Sequence, residues 1–324
     1  MQRRIIFALA AAGLTIPLAA LSQTPAYPTK PVKFIVPYAP GGLPDTVARV
    51  VAQRLGERLG QSVIVDNKPG GNGVVAYQSL LQSSPQDGHS FIVSDGSMLS
   101  ITPLVNKSAT YAVGKDLMAV SLIARSPLFL VAHPKTGVKN LNEFVSKLRQ
   151  NPGAYTYGSS GTGSTHHLTM EAMKADLKLD IRHVPFRGSG QSVPALLGGQ
   201  VDFLFSALPS MAGFVKTGQV TLIGSNDAKR SPQAPDVPAI AEVIPGFDFS
   251  VTIGALARAG TAPEAIKRLA DDIAWVVKQP DVIEKFNAAS INAVGAGPEA
   301  YRKEIDRENQ AMAKAGKQAD LKAD

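Results

Sequence analysis

Apolar positions in this chain repeat with two periods. Short runs rich in β-branched and aromatic residues predict strands over residues 32–36, 63–65, 91–94, 120–124 and 128–132. Between the first two, Val47, Val50, Val51, Leu55 and Leu59 share one helical face. Arg49, Gln53, Arg54, Glu57 and Arg58 fall elsewhere, so residues 45–59 predict an amphipathic helix and a strand–helix–strand unit. Residues 141–150 predict another helix: Asn140 and Glu143 stand in capping-box spacing, Leu141, Phe144, Val145 and Leu148 form the buried stripe, and Asn151-Pro152-Gly153 ends it.

The alternation continues. Strands are predicted over 155–158, 181–184, 201–205, 220–223 and 250–256, with helices over 164–175 and 191–197. Thr261, Pro263 and Glu264 cap a further helix whose stripe is Ile266, Leu269, Ile273, Val276 and Val277, with Pro280 expected to terminate it. A last helix starts at Pro298-Glu299. Strands alternating with helices predict an α/β protein with mainly parallel sheets and flanking helices. No Gly/Ser linker separates domains. Apolar segments 122–130 and 248–256 read as passing between two lobes, with residues 23–124 and 250–324 in the first and 125–249 in the second. A ligand is expected in the cleft between them.

The first 22 residues change the setting. Arg3 and Arg4 precede an apolar stretch over 5–21, and Ala20-Leu21-Ser22 offers small residues before a cut. This reads as a cleaved secretory signal. A membrane anchor is the competing reading, but about 17 apolar residues interrupted by Gly13 and Pro17 stand at the lower limit for a span. The expectation is an exported chain in the periplasm whose mature form is not membrane-inserted. The formal charge of +7 falls by those two arginines to +5. Basic residues occur at most in adjacent pairs and mix with acidic ones, so a nucleic-acid partner is not expected. The absence of cysteine excludes disulfides, thiolate metal sites and thiol nucleophiles.

Two loops could carry chemistry. Residues 37–45, Pro-Tyr-Ala-Pro-Gly-Gly-Leu-Pro-Asp, join a strand to a helix N-terminus, where free N–H groups and the helix dipole favour an anion. Gly41 and Gly42 allow close backbone approach, and Asp45 is the alternative N-cap of a plain turn. Residues 158–167 form a second strand-to-helix loop with three glycines and five hydroxyls, donors suited to a carboxylate. A faint echo links Val36-Pro37-Tyr38 before Gly41-Gly42 with Val184-Pro185-Phe186 before Gly188-Ser189-Gly190. Tyr38 and Phe186 could wall a carbon chain, and Arg187 could pair with a carboxylate. Gly71-Asn72-Gly73-Val74-Val75-Ala76 matches GxGxxA but reads as a glycine turn into a helix. No serine-hydrolase elbow is present, and the adjacent His166 and His167 cannot chelate as HExxH does.

Taken in order, several motifs resemble the Bug (TctC-like) family, extracytoplasmic solute-binding receptors of tripartite tricarboxylate transporters. They are Tyr27-Pro28-Thr29-Lys30-Pro31-Val32, Val36-Pro37-Tyr38-Ala39-Pro40-Gly41-Gly42 with Asp45, Val65-Asp66-Asn67-Lys68-Pro69-Gly70 and Pro85-Gln86-Asp87-Gly88. Val184-Pro185-Phe186-Arg187-Gly188, Leu196-Leu197-Gly198-Gly199-Gln200-Val201, Leu208-Pro209-Ser210 and Pro235-Asp236-Val237-Pro238 follow. The resemblance implies a two-lobe periplasmic binding protein type II fold, no catalysis and no cofactor or metal. It implies a small organic acid as ligand and the membrane permease subunits of a tripartite transporter as partners, with the receptor a monomer. The implied ligand residues are Tyr38, Pro40, Gly41, Gly42 and Asp45 in the first loop and Ser159, Thr162, Gly163, Ser164 and His166 in the second. The chain departs from relatives at Leu43, His166 and Ser206. Because Ser206 replaces a frequent Asp, the expected ligand is a mono- or dicarboxylate rather than an amino acid, with His166 at its distal part. A ligand-sensing adaptor for a membrane kinase and an exported hydrolase or isomerase are the competing functions.

Overall fold

The computed structural model describes residues 27–83 and 87–322, so the signal read over residues 1–22 lies outside it. In chain order the elements are β1 (Val32–Val36), α1 (Leu43–Leu59), β2 (Val63–Asn67), α2 (Val74–Ser83), β3 (Ser90–Asp95), α3 (Ser97–Ser100), α4 (Thr102–Val105) and β4 (Leu117–Ser126). Then come β5 (Leu128–Ala132), α5 (Leu141–Gln150), β6 (Thr156–Ser159), α6 (Thr165–Leu177), β7 (Arg182–Pro185), α7 (Ser189–Leu197), β8 (Phe203–Ala207), α8 (Leu208–Lys216) and β9 (Thr221–Ser225). The last are β10 (Val251–Arg258), α9 (Pro263–Val276), α10 (Pro280–Ala288), β11 (Asn292–Ala296) and α11 (Pro298–Gln318).

The strands form two sheets, ordered β11-β4-β10-β3-β1-β2 and β7-β6-β8-β5-β9. Both are mixed rather than mainly parallel. The strand–helix–strand units pair in parallel, β1 with β2 and β3, and β6 with β7 and β8. The pairings of β10, β11 and β5 are antiparallel. The reason is the route of the chain. It leaves the first sheet along β4 and returns along β10, so these neighbours run in opposite directions.

Each sheet is covered on both faces. Val47, Val51 and Leu55 of α1 and Leu269 and Ile273 of α9 pack on one face of the first sheet, and Leu80 of α2 and Tyr301 of α11 on the other. Phe144 of α5 and Met170 of α6 pack on one face of the second sheet, and Leu196 of α7 and Met211 of α8 on the other. Helix α5 follows its expectation to the residue, with the Asn140 side chain accepting from the Glu143 N–H. Pro280 departs from its expectation: α9 already ends at Val276, and Pro280 is the first residue of α10. At that position its missing N–H costs no hydrogen bond.

Two short segments carry the chain between the sheets, around Pro127 and around Phe249. One buried residue joins them. Asn226 Oδ1 accepts the Leu128 N–H at 2.7 Å, and its Nδ2 donates to the Phe249 carbonyl at 2.6 Å. Its backbone N–H donates to the Leu128 carbonyl, and its own carbonyl accepts the Phe249 N–H. Beside it Arg125, Asp248, Glu304 and Arg307 form a closed ring of alternating charge, with N···O distances of 2.8, 2.7, 2.6 and 3.2 Å.

The ring brings in α11, which serves both cores. Tyr301 and Ile305 pack with the first sheet, whereas Met312 and Ala315 pack with the second. Midway along the helix Glu308 is buried; it accepts from Thr252 Oγ1 at 2.6 Å and from Ser100 Oγ at 3.3 Å. Gly96 leaves room for this carboxylate, which any Cβ there would overlap. Desolvation, reinforced by Asp95 and Glu304, pushes the Glu308 carboxyl up to about 7.

Two outcomes are expected. Asn226→Leu leaves a buried N–H and a buried carbonyl unpaired, and should lower stability in urea denaturation by about 2–4 kcal/mol. Glu308 has a raised folded value, so its contribution is full below the ordinary carboxyl range and is lost as pH rises through about 7. Glu308→Gln should therefore gain stability relative to the native chain from pH 5 to pH 8, by about 1–3 kcal/mol. A difference that does not change with pH would contradict this assignment.

Candidate functional site

Both loops singled out above follow the carboxyl ends of parallel strands, β1 and β6, where open α/β sheets place ligands. A third turn, at Gly96 after β3, joins them. A cleft of about 370 Å³ lies among these elements. One wall is Tyr38 with Ser97, Ile101, Thr102 and Val105, and the other is Ser160, Thr162, Gly163, Ser164, Thr165 and His166. Five of the expected site residues therefore meet there: Tyr38, Thr162, Gly163, Ser164 and His166. The segment from Ser97 to Val105 was not anticipated. Its helices are four residues each, too short to show a helical period, and its one signal is a Gly-Ser step after a strand.

The second loop is held so that its donors point outward. Ser164 is the N-cap of α6, accepting the His167 N–H. Ser159 Oγ accepts the Gly161 N–H at 3.1 Å and contacts His183 Nε2 at 2.7 Å. His167 Nδ1 accepts the Gly163 N–H at 3.1 Å, and the His167 and His183 rings stack at 4.0 Å behind the loop. Gly163 has φ +76 and Gly161 φ +125, conformations that favour glycine. Among the described residues the N–H groups of Thr165 and His166, first two in α6, have no protein partner. These are orphan donors at the positive end of a helix dipole.

His166 lines the cleft with Nδ1 3.1 Å from Ser160 Oγ. Desolvation pushes its imidazole down to about 4, so the ring is neutral at pH 7. None of the residues lining the cleft is Lys, Arg, Asp or Glu. An anion there meets neutral donors only.

The other expected residues are placed differently. Asp45 is not the N-cap of α1; Gly42 is, and Asp45 lies in the first turn after Pro44. Its buried carboxylate folds back to accept the Gly41 N–H at 2.9 Å, Arg49 Nε at 3.0 Å and Asn67 Nδ2 at 2.9 Å. Burial opposes ionisation, but these hydrogen bonds outweigh it and hold the carboxyl below its ordinary range. Asp45 thus faces the loop interior and occupies one of the loop's donors. Pro40, Gly41, Gly42 and Leu43 lie outside the cleft lining, the first three exposed. Ser159 is buried beneath the second loop and Ser206 within β8, opposite Phe129 of β5. Phe186 packs with the core under α7 and α8, and Arg187 is exposed with its N–H on Gln191 Oε1. The glycine turn at residues 71–73 leads into α2, as expected.

Two mixed sheets flanked by helices, with a polar cleft at the carboxyl ends of parallel strands, define a solute-binding protein. The family of tripartite tricarboxylate transporter receptors, TctC, matches residues 47–317, and the chain belongs to it. Protein BugT of Bordetella pertussis is 32% identical over 307 residues, covering 94% of this chain and 93% of the relative. Among solved structures, an adipate-bound protein of R. palustris is 29% identical with a TM-score of 0.76, covering 92% of this chain and 99% of that one. MatC of Rhodopseudomonas palustris with bound malate is 27% identical with a TM-score of 0.71, covering 89% and 99%. The motifs that suggested the Bug family are therefore borne out. The protein is a solute-binding receptor of a periplasmic family, not an enzyme. Among the described residues no helix is long and apolar enough to cross a membrane.

Ser164→Ala removes the cap of α6. It should lower stability by about 1 kcal/mol, read as a fall in melting temperature of a few degrees.

Proposed function

We propose that the protein captures a small mono- or dicarboxylate in this cleft and presents it to the permease of a tripartite transporter. The observation that carries this reading is a cleft without fixed charge, into which the first turn of α6 directs unpartnered N–H groups. Such donors are charge-assisted when they meet a carboxylate, and each contributes about 1.5–3 kcal/mol. Several together reach the ~8 kcal/mol of a micromolar complex after ordering costs. The adipate and malate held by the two R. palustris relatives are of this ligand class.

In this reading the two sheets are the cores of two lobes, with residues 23–124 and 250–324 in one and 125–249 in the other. The ligand bridges Tyr38 on the first lobe and residues 162–166 on the second, with neutral His166 at its distal part. Pro40 to Leu43 join the site as the lobes approach. Closure is then a population shift driven by contacts made to both walls at once. Residues 1–22 act as the export signal.

A thermal-shift screen of carboxylates tests the reading. A ligand at 100 times its Kd adds about 2.7 kcal/mol, several degrees for a chain of this size. Thr165→Pro tests the donor itself, since proline is favoured at the first helical position and only deletes the N–H. Thr165 is that position, and Ser164 before it is already extended with ψ 159. The Pro variant should keep its melting temperature within a few degrees of Thr165→Ala and bind a carboxylate at least about tenfold more weakly than Thr165→Ala does. Equal affinities would remove the helix terminus from the site.

A further inference from the structure

The two chain crossings divide the gap between the sheets into two sides. In the first sheet β4 and β10 stand between β11 and the strands β3 and β1; in the second, β5 stands between β9 and the strands β8 and β6. The cleft follows β1, β3 and β6, so it lies on one side of the crossings. On the other side the segments after β9 and before β11 face each other. A groove of about 510 Å³ runs there, with Asp227, Arg230 and Pro232 on one bank and Asn287, Asn292 and Ala293 on the other.

One residue spans this groove. Gln233 Nε2 donates to Asn287 Oδ1 at 3.0 Å, near the end of α10, and to Asn292 Oδ1 at 3.1 Å, in the first residue of β11. Its Oε1 accepts from the hydroxyl of buried Ser231 at 2.6 Å, and the same hydroxyl oxygen accepts the Gln233 N–H at 3.4 Å. The carboxamide is therefore held in position on its own bank, with its N–H groups turned across. Among the described residues, no other member of 227–237 hydrogen-bonds to residues 280–296.

A rotation about the crossings that brings Tyr38 towards residues 162–166 carries the far banks apart, as the two ends of a lever move in opposite senses. The Gln233 contacts are made here while Pro40, Gly41 and Gly42 still stand exposed outside the cleft lining. Closure must break them. We infer that Gln233 is a clasp that favours the open form, and that it sets how tightly the receptor binds without touching the ligand. The inference rests on the closure reading above and adds to it the residue that opposes closure. While the open form predominates, the apparent Kd scales with the ratio of open to closed molecules, so weakening the clasp tightens binding.

Calorimetry with adipate and malate tests this in two directions. Gln233→Ala should bind about threefold to tenfold more tightly than the native chain, and Asn287→Ala should change affinity in the same sense by less. The melting temperature should fall by no more than a few degrees, whereas a merely structural contact would lower it and leave affinity unchanged. The opposite arm locks the clasp. The chain has no cysteine, so Gln233→Cys with Asn287→Cys can be joined selectively by a short bis-methanethiosulfonate. The joined protein should bind at least about tenfold more weakly than the same protein after reduction. Equal or weaker binding by Gln233→Ala overturns the inference, and so does a cross-link without effect on affinity. If neither acid binds the native chain at millimolar concentration, the carboxylate reading falls separately. Small-angle X-ray scattering without ligand then decides the clasp: a smaller radius of gyration for Gln233→Ala than for the native chain supports it, and equal radii overturn it.

Discussion

The side chain of Asn226 holds the two chain crossings together, and the connection between the two sheets depends on that join. A single carboxamide accepts from one crossing and donates to the other, while its own peptide group repeats both contacts. The Asn carboxamide presents its acceptor and its donor on separate atoms of one short stem, so one side chain reaches both crossings. The charged ring of Arg125, Asp248, Glu304 and Arg307 extends the join to α11, whose two halves are embedded in different cores. The two sheets are thus joined by polar groups outside the cleft lining.

Within the cleft the division of labour is a matter of where protons point. In the second loop Ser159, His167 and Ser164 occupy the inward-facing N–H groups and leave the outward ones open. Behind Tyr38, Asp95 accepts from the Tyr38 and Ser97 hydroxyls and holds both in place. Both walls depend on residues just beyond the lining, and both use polar groups without net charge. In the proposed reading a bound carboxylate meets no ion pair, so its binding depends only weakly on salt.

Much of this was legible in the sequence where one strong rule acted alone. Helix α5 has a cap, a clean stripe and a Pro-Gly stop, and its bounds follow directly. The two loops stood out because glycine and hydroxyl residues gather between a strand and a helix. Legibility failed where tertiary structure chose between equivalent local options. Asp45 satisfied the rule for an N-cap, but Pro44 moved the start of α1 back to Leu43, and Asp45 became an internal clamp for its own loop. Pro280 served equally well as a stop or a start. The mixed sheets required knowing that the chain goes out and back through adjacent strands. The segment from Ser97 to Val105 carried no helical period, only a Gly-Ser step after a strand, because its place depends on contacts with α6 and α11 made far away in sequence.

The position of β10 has a consequence for the timing of folding. It lies between β3 and β4, so a central strand of the first sheet is supplied only after residue 250, when the whole second sheet has been made. Until then β3 and β4 have no partner between them, and both cores still lack the face that α11 covers. A nascent chain therefore holds its longest-range pairings in reserve, and such pairings form slowly. Under the export reading proposed above, that delay leaves the first sheet incomplete while the polypeptide is moved across a membrane.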